Sequence, residues 1–151
     1  MNGCHSLKRV GIHPEGQLSI QSILEFIKGN ERFDEVGGIG CFFGFVKKIV
    51  KNKEVKGLEL EAYEEKAKEI FSEISEEIRK RPGIIDVAIH HVVGKLKISD
   101  LIFVVMVSGK SRKDIFPALV EAVERAKREA TIWKKEEVIT GESYWVEYGS
   151  N

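Results

Sequence analysis

Two lysines seven residues apart, Lys127 and Lys134, and an arginine upstream of them, Arg112, are the residues of this chain best suited to chemistry. Counted along a helix from Phe116, positions 120, 123 and 127 fall at offsets of four, seven and eleven, all on one face. A lysine therefore continues an apolar stripe close to the helix end. An ammonium held at such an edge can act as nucleophile, acid or oxyanion stabiliser. The plainer reading is a stem covering the core edge, its head in water and complementing the helix dipole. Lys134 lies in Ile132-Trp133-Lys134-Lys135-Glu136, where the chain leaves that helix for a strand, and Trp133 offers a wall against water. Two lysines that bracket one helix-to-strand turn can converge on a single anion.

Arg112 stands at the entrance to the same helix, in Gly109-Lys110-Ser111-Arg112-Lys113. Free N–H groups at a helix start suit phosphate or carboxylate, and a guanidinium adds a two-pronged donor. A solvated charge cluster is the competing reading. Gly109-Lys110-Ser111 has the ending of a P-loop, but Val104 stands where that loop needs its first glycine, so nucleotide binding by this route is excluded. Gly37, Gly38, Gly40 and Gly44 do not fit a dinucleotide-binding fingerprint either. Lys47, Lys48, Lys51, Lys53 and Lys56 make one stretch basic; such a hairpin is ordinarily solvated, or else meets an acidic partner. The four histidines lack zinc-type spacing, and His90 and His91 on a strand point to opposite faces, so no metal is expected.

These residues need a scaffold. Ser19 caps a short helix through Ile20, Ile23, Leu24 and Ile27, ended by Gly29-Asn30. The apolar run Ile39 to Val50 reads as a strand. Val55 to Tyr63 reads as another, with Leu58, Leu60 and Ala62 alternating against Glu59 and Glu61. From Glu64 to Arg81 the period is helical, burying Ala67, Ile70, Phe71, Ile74 and Ile78, and Pro82-Gly83 ends it. Ile84 to Val93 and Leu101 to Ser108 read as strands, the second buried on both faces, with a turn over Gly94 to Asp100. The third helix runs from about Arg112 to Ala130 and is expected to bury Phe116, Leu119, Val120 and Val123. Trp133 to Ile139 and Ser143 to Tyr148 form a hairpin around Thr140-Gly141-Glu142. Strands come in adjacent pairs between helices, which favours an α+β fold with mainly antiparallel pairing and three helices.

The chain has 151 residues, enough for one domain over 1–151 with a core that needs no staples. Lys plus Arg and Asp plus Glu both number 24, and a formal charge of zero argues against a nucleic-acid or membrane-surface binder. No apolar run approaches a membrane span, and Met1 to Gly16 lack the apolar core of a signal peptide. Cys4 and Cys41 make no disulfide framework, so a reducing cytoplasm is the expected setting.

Several blocks together resemble the large subunit of molybdopterin synthase over nearly the whole chain. They are Leu58-Glu-Leu-Glu-Ala-Tyr63, His91-Val-Val-Gly94-Lys-Leu96, Phe116, Lys127 followed by Ile132-Trp133-Lys134-Lys135-Glu136, and Trp145-Val146. The resemblance implies an α/β-hammerhead-type fold and a homodimeric core. It implies a small ubiquitin-like sulfur-carrier subunit docked at each end, whose C-terminal Gly-Gly thiocarboxylate enters a pocket. Sulfur then passes to cyclic pyranopterin monophosphate, a pterin phosphate, forming the dithiolene of molybdopterin without any bound cofactor. Lys127 and Lys134 match the family's catalytic lysines, and Arg112, Ser111, Lys47, Lys110 and Lys135 are the basic and polar residues placed to hold the substrate phosphate. The chain departs from the family where a Val-Arg appears as Val46-Lys47, a His-Arg as Ser111-Arg112, and an arginine after the histidine as Val92. Two further readings stand beside this one: a non-catalytic relative that binds a ubiquitin-like partner or its own twin, and a small-molecule sensor domain. The dimer is expected to join through sheet and hairpin surfaces, because the Ile39 to Val50 run is long for one side of a small sheet.

Overall fold

The computed structural model describes residues 8–147. Eight strands lie in the order β2-β6-β5-β4-β7-β8, with β1 beside β5 and β3 beside β4. They are β1 (Val10–Pro14), β2 (Gly38–Phe45), β3 (Ile49–Val50), β4 (Lys53–Ala62), β5 (Ile84–Lys97), β6 (Leu101–Gly109), β7 (Ile132–Val138) and β8 (Ser143–Glu147). The helices are α1 (Ile20–Lys28), α2 (Glu64–Arg79) and α3 (Arg112–Glu129). The α+β class with mainly antiparallel pairing is therefore observed; among the described residues β1 alone pairs in parallel, with β5.

β5 and β6 carry nearly unbroken apolar runs because both of their faces are covered. On one face Val87, Ile89, Phe103, Val105 and Val107 pack with Phe71, Ile74 and Ile78 of α2 and with Ile115, Ala118 and Ala122 of α3. On the other, Ala88, Val104 and Met106 meet Ile23 and Ile27 of α1. Ser19 caps α1 as its position suggests, its Oγ accepting from the Ser22 N–H at 3.1 Å. The stripe read from α2 is the buried one, and the polar loop before β4 turns where expected, with Lys51 and Asn52 at positive φ.

Three expectations are corrected. The Ile39 to Val50 run is not one strand: β2 ends at Phe45 and β3 begins at Ile49. Between them Val46 is tied to the turn before β6, accepting from Ser99 N at 2.7 Å and donating to Asp100 O at 2.9 Å. β5 continues through Gly94 to Lys97, so the turn is confined to the few residues before β6. On α3 the buried residues are Ile115, Ala118, Ala122, Val123 and Ala126, while Phe116 and Val120 are 59% and 62% exposed. The reason is close approach. A Cβ added at Gly40 of β2 would meet Ile115 Cγ2 at 2.7 Å and Leu119 Cδ2 at 3.3 Å, so the face that meets the sheet carries Ile115, Ala118, Leu119, Ala122 and Ala126, and Phe116 and Val120 lie off it.

His90 and His91 do point to opposite faces of β5, and both are completely buried. His13 Nε2 lies 2.8 Å from His90 Nδ1. Burial, then the neighbouring His13 charge, pushes His90 down to about 3; burial, with the Lys127 charge contributing, pushes His91 down to about 4. Both are therefore neutral at pH 7. Because each folded value lies below the unfolded one of 6.5, the unfolded chain binds more protons as pH falls. Stability is full above about pH 6.5 and is lost on the way down, by about 2 kcal/mol per histidine at pH 5. Urea unfolding at pH 7 and pH 5 should show that decline, and His91→Phe should remove roughly half of it. A pH-independent midpoint would refute this account.

Candidate active site

The end of β2, the middle of β4, the start of β6, the last turn of α3 and the first half of β7 meet around a cleft of about 280 Å³. Its walls are apolar: Phe42, Phe43, Phe45, Val46, Leu58 and Phe103 among them. Among the described residues its charged lining is Lys47, Lys127 and Lys134. Three cations from three separate segments thus line one cleft, Lys47 exposed, Lys127 half-buried and Lys134 buried, an arrangement suited to an anion.

Lys134 reaches the cleft through strand alternation. Along β7 the residues Ile132, Lys134, Glu136 and Val138 point inward, while Trp133 and Glu137 point out. The strand is paired on both sides, Lys134 lying opposite Leu60 of β4 and Val146 of β8. Lys134 is 8% exposed, and its Nζ lies 3.2 Å from Glu136 Oε1. A buried ammonium with a buried carboxylate beside it is confined in position.

Lys127 arrives differently. Ala126 is packed against the sheet, which leaves Lys127 at the rim, half-buried. Its Nζ sits over the Phe42 ring, 5.8 Å from the centroid. Phe42 in turn meets Phe103 edge-on at 6.0 Å, and Phe103 lies 5.3 Å from the His91 ring. His91 Nδ1 is 2.8 Å from the Val92 carbonyl, which can only accept, so Nδ1 carries the proton. A column of rings, uncharged at neutral pH, therefore supports Lys127 from below. Among the described residues no carboxylate forms an ion pair with it.

The remaining sequence-predicted residues lie elsewhere. Trp133 is half exposed on the outer face of β7 and is not the wall beside Lys134; the phenylalanines of β2 and β6 are. Lys135 also leaves the cleft by alternation, its Nζ 5.7 Å from the Trp145 ring centroid on the outer face. Lys110 is exposed and pairs with Glu35 at 3.5 Å. Ser111 precedes α3, but its Oγ is committed to Asp114 Oδ2 at 2.9 Å. Arg112 is exposed at the first turn of α3, and the helix rise puts it about 22 Å from Lys127, farther than the two side chains can span. One chain thus brings Lys47, Lys127 and Lys134 together and leaves Lys110, Ser111, Arg112 and Lys135 outside. Reasoning from sequence also missed Glu136, Phe42, Phe103 and His91 as parts of the surroundings. The i, i+2 spacing of Lys134 and Glu136 on a strand was the available signal for the first.

Among the described residues no group of three or more His, Cys, Asp or Glu could hold a metal ion, and no helix is long and apolar enough to cross a membrane. Residues 14–129 match the family described as MoaE protein, so Lys127 falls inside the matched segment and Lys134 just beyond it. The chain is similar to the molybdopterin synthase catalytic subunit of Halalkalibacterium halodurans, at 39% identity over 110 residues, covering 73% of this chain and 70% of that protein. It is similar to the crystal structure of molybdopterin synthase from Staphylococcus aureus, with TM-score 0.82 and 33% identity over 93% of this chain and 98% of the other. The complex of subunits 1 and 2 of molybdopterin-converting factor from Helicobacter pylori shares the fold, with TM-score 0.73 and 21% identity over 95% of this chain and 92% of the other.

Proposed function

Because the chain belongs to the MoaE protein family, we propose that it is a catalytic subunit of molybdopterin synthase. It takes sulfur from the thiocarboxylated Gly-Gly tail of a small ubiquitin-like carrier and delivers it to cyclic pyranopterin monophosphate, building the dithiolene. The observation that carries this reading is the convergence of Lys127 and Lys134, from different elements, on one cleft with aromatic walls. A Gly-Gly tail has no side chains to obstruct such a passage, and its anionic tip needs ammonium groups at the far end. Lys134, fixed by Glu136, holds the incoming thiocarboxylate. Lys127, resting on Phe42, stabilises the negative charge that develops as sulfur attacks the pterin side chain. The phenylalanines keep water from competing with sulfur. Lys47, also at the cleft, supplies a point charge toward the substrate, without the fork an arginine would bring.

Arg112, with Lys110 near it, binds the substrate phosphate in this reading. Its distance from Lys127 within one chain supports a reading in which it serves the cleft of a second copy. That copy covers the exposed Phe43, Phe45, Phe116 and Val120. One domain over 1–151 and a cytoplasmic setting belong to the same reading. The test is single-turnover conversion of the pterin phosphate with thiocarboxylated carrier. Dithiolene product with two thiocarboxylates consumed per pterin is expected. Pterin binding without sulfur transfer would overturn the enzyme in favour of a sensor.

A further inference from the structure

Resting on that reading of the cleft, we infer that Glu136 is a positioning residue for sulfur transfer and acts through Lys134. Glu136 does not line the cleft, yet its Oε1 lies 3.2 Å from the Lys134 Nζ, and the two side chains are only 4% and 10% exposed. A buried ion pair is a poor stabiliser of a fold, because an apolar pair of similar size does as well without desolvating two charges. Its presence on a strand otherwise pointing Ile132 and Val138 inward calls for a different reason.

The geometry supplies one. An ammonium has three donors and rotates freely, so a lysine alone is a charge without a direction. With one N–H taken by Glu136, the remaining two are aimed, and the lysine stem is confined to one arrangement. The support beneath is stiff, since β7 is hydrogen-bonded to β4 on one side and β8 on the other. Lys127 provides the contrast: it rests on an aromatic ring, which attracts a cation but does not orient its protons. The two lysines therefore differ in kind. Glu136 makes Lys134 a fixed post on which an anionic tail is registered, while Lys127 stays free to follow the charge as it moves.

Four variants decide the matter: Glu136→Gln, Glu136→Asp, Lys134→Ala and the double Lys134→Ala/Glu136→Gln, each assayed with thiocarboxylated carrier. Glu136→Gln should slow single-turnover dithiolene formation by about a hundredfold, the scale expected when a reacting group is misplaced by an ångström. Carrier affinity should change by no more than about twofold, as for an interaction used chiefly in the transition state. Glu136→Asp, which keeps the charge on a shorter stem, should fall between Gln and wild type. The double variant should match Lys134→Ala, because Glu136 has nothing left to position. That double variant removes both charges of the pair, so this comparison stands even where Glu136→Gln folds poorly. A wild-type rate for Glu136→Gln would overturn the inference. So would a double variant slower than Lys134→Ala by the full Glu136→Gln factor, which marks a separate structural effect. A wild-type rate for Lys134→Ala would remove the cleft reading itself and this inference with it.

Discussion

Lys127→Ala and Lys134→Ala should each lose about a hundredfold or more in single-turnover sulfur transfer, the range found when one donor to a developing oxyanion is removed. Carrier binding should barely change, because both ammonium groups are needed mainly in the transition state. The double variant should cost much less than the two single losses added together, since both lysines serve one intermediate across one cleft. Their stabilities should diverge. Lys134→Ala removes the cation beside the Glu136 carboxylate, itself 3% exposed, and loss of one member of a buried pair costs up to about 3–5 kcal/mol. Lys127→Ala strands nothing and should melt close to wild type. Arginine should rescue neither lysine well: its planar fork does not fit the space beside Glu136, and it does not give up a proton. Near-wild-type rates in both single variants would leave Lys127 as a lysine covering the core edge.

The second large effect concerns Arg112. As a homodimer, Arg112→Ala should raise the apparent constant for the pterin phosphate more than it lowers turnover, since the guanidinium grips a group remote from the reacting carbons. At substrate well below that raised constant, mixing inactive Lys127→Ala chains with Arg112→Ala chains and allowing subunit exchange should then restore activity. Half of a random mixture is heterodimer, and each heterodimer carries one cleft with both residues intact, so recovery should approach about a quarter of wild type. If Arg112 served its own chain's cleft, every site in the mixture would lack one residue and nothing would be restored. Light scattering that shows a monomer at micromolar concentration would remove the basis of the experiment.

Much of this arrangement was legible in the sequence because local rules and tertiary packing agree there. Ser19 caps a helix, Ala67, Phe71, Ile74 and Ile78 mark its successor's buried face, and Leu58 and Leu60 alternate into the core. The failures come where tertiary contact overrules local size. Phe116 and Val120 are bulky enough for core, but glycines in β2 let Ile115 and Leu119 of α3 approach closely, and that choice of face turns Phe116 and Val120 outward. β1 escaped notice because five residues ending in proline carry little strand signal, and its parallel partner β5 lies far along the chain. In the cleft, Lys127 and Lys134 were found by type and spacing. The aromatic column under Lys127 was not, because Phe42, His91 and Phe103 come from three strands that only the sheet order assembles. Trp133 and Lys135 stand on the opposite face of β7 from Lys134, a separation that adjacency in sequence hides.

The missing side chain at Gly40 has a meaning beyond packing. With no Cβ between α3 and β2, the separation of helix and sheet is set by backbone meeting Ile115 and Leu119 directly. α3 is a lever clamped at that point, and Lys127 is carried at its far end. Any atom added under the clamp would tilt the lever and lift the ammonium away from the Phe42 ring, although the cleft itself had lost nothing. Position 40 thus works as a gauge block: its emptiness calibrates the height of a reacting group that it never touches.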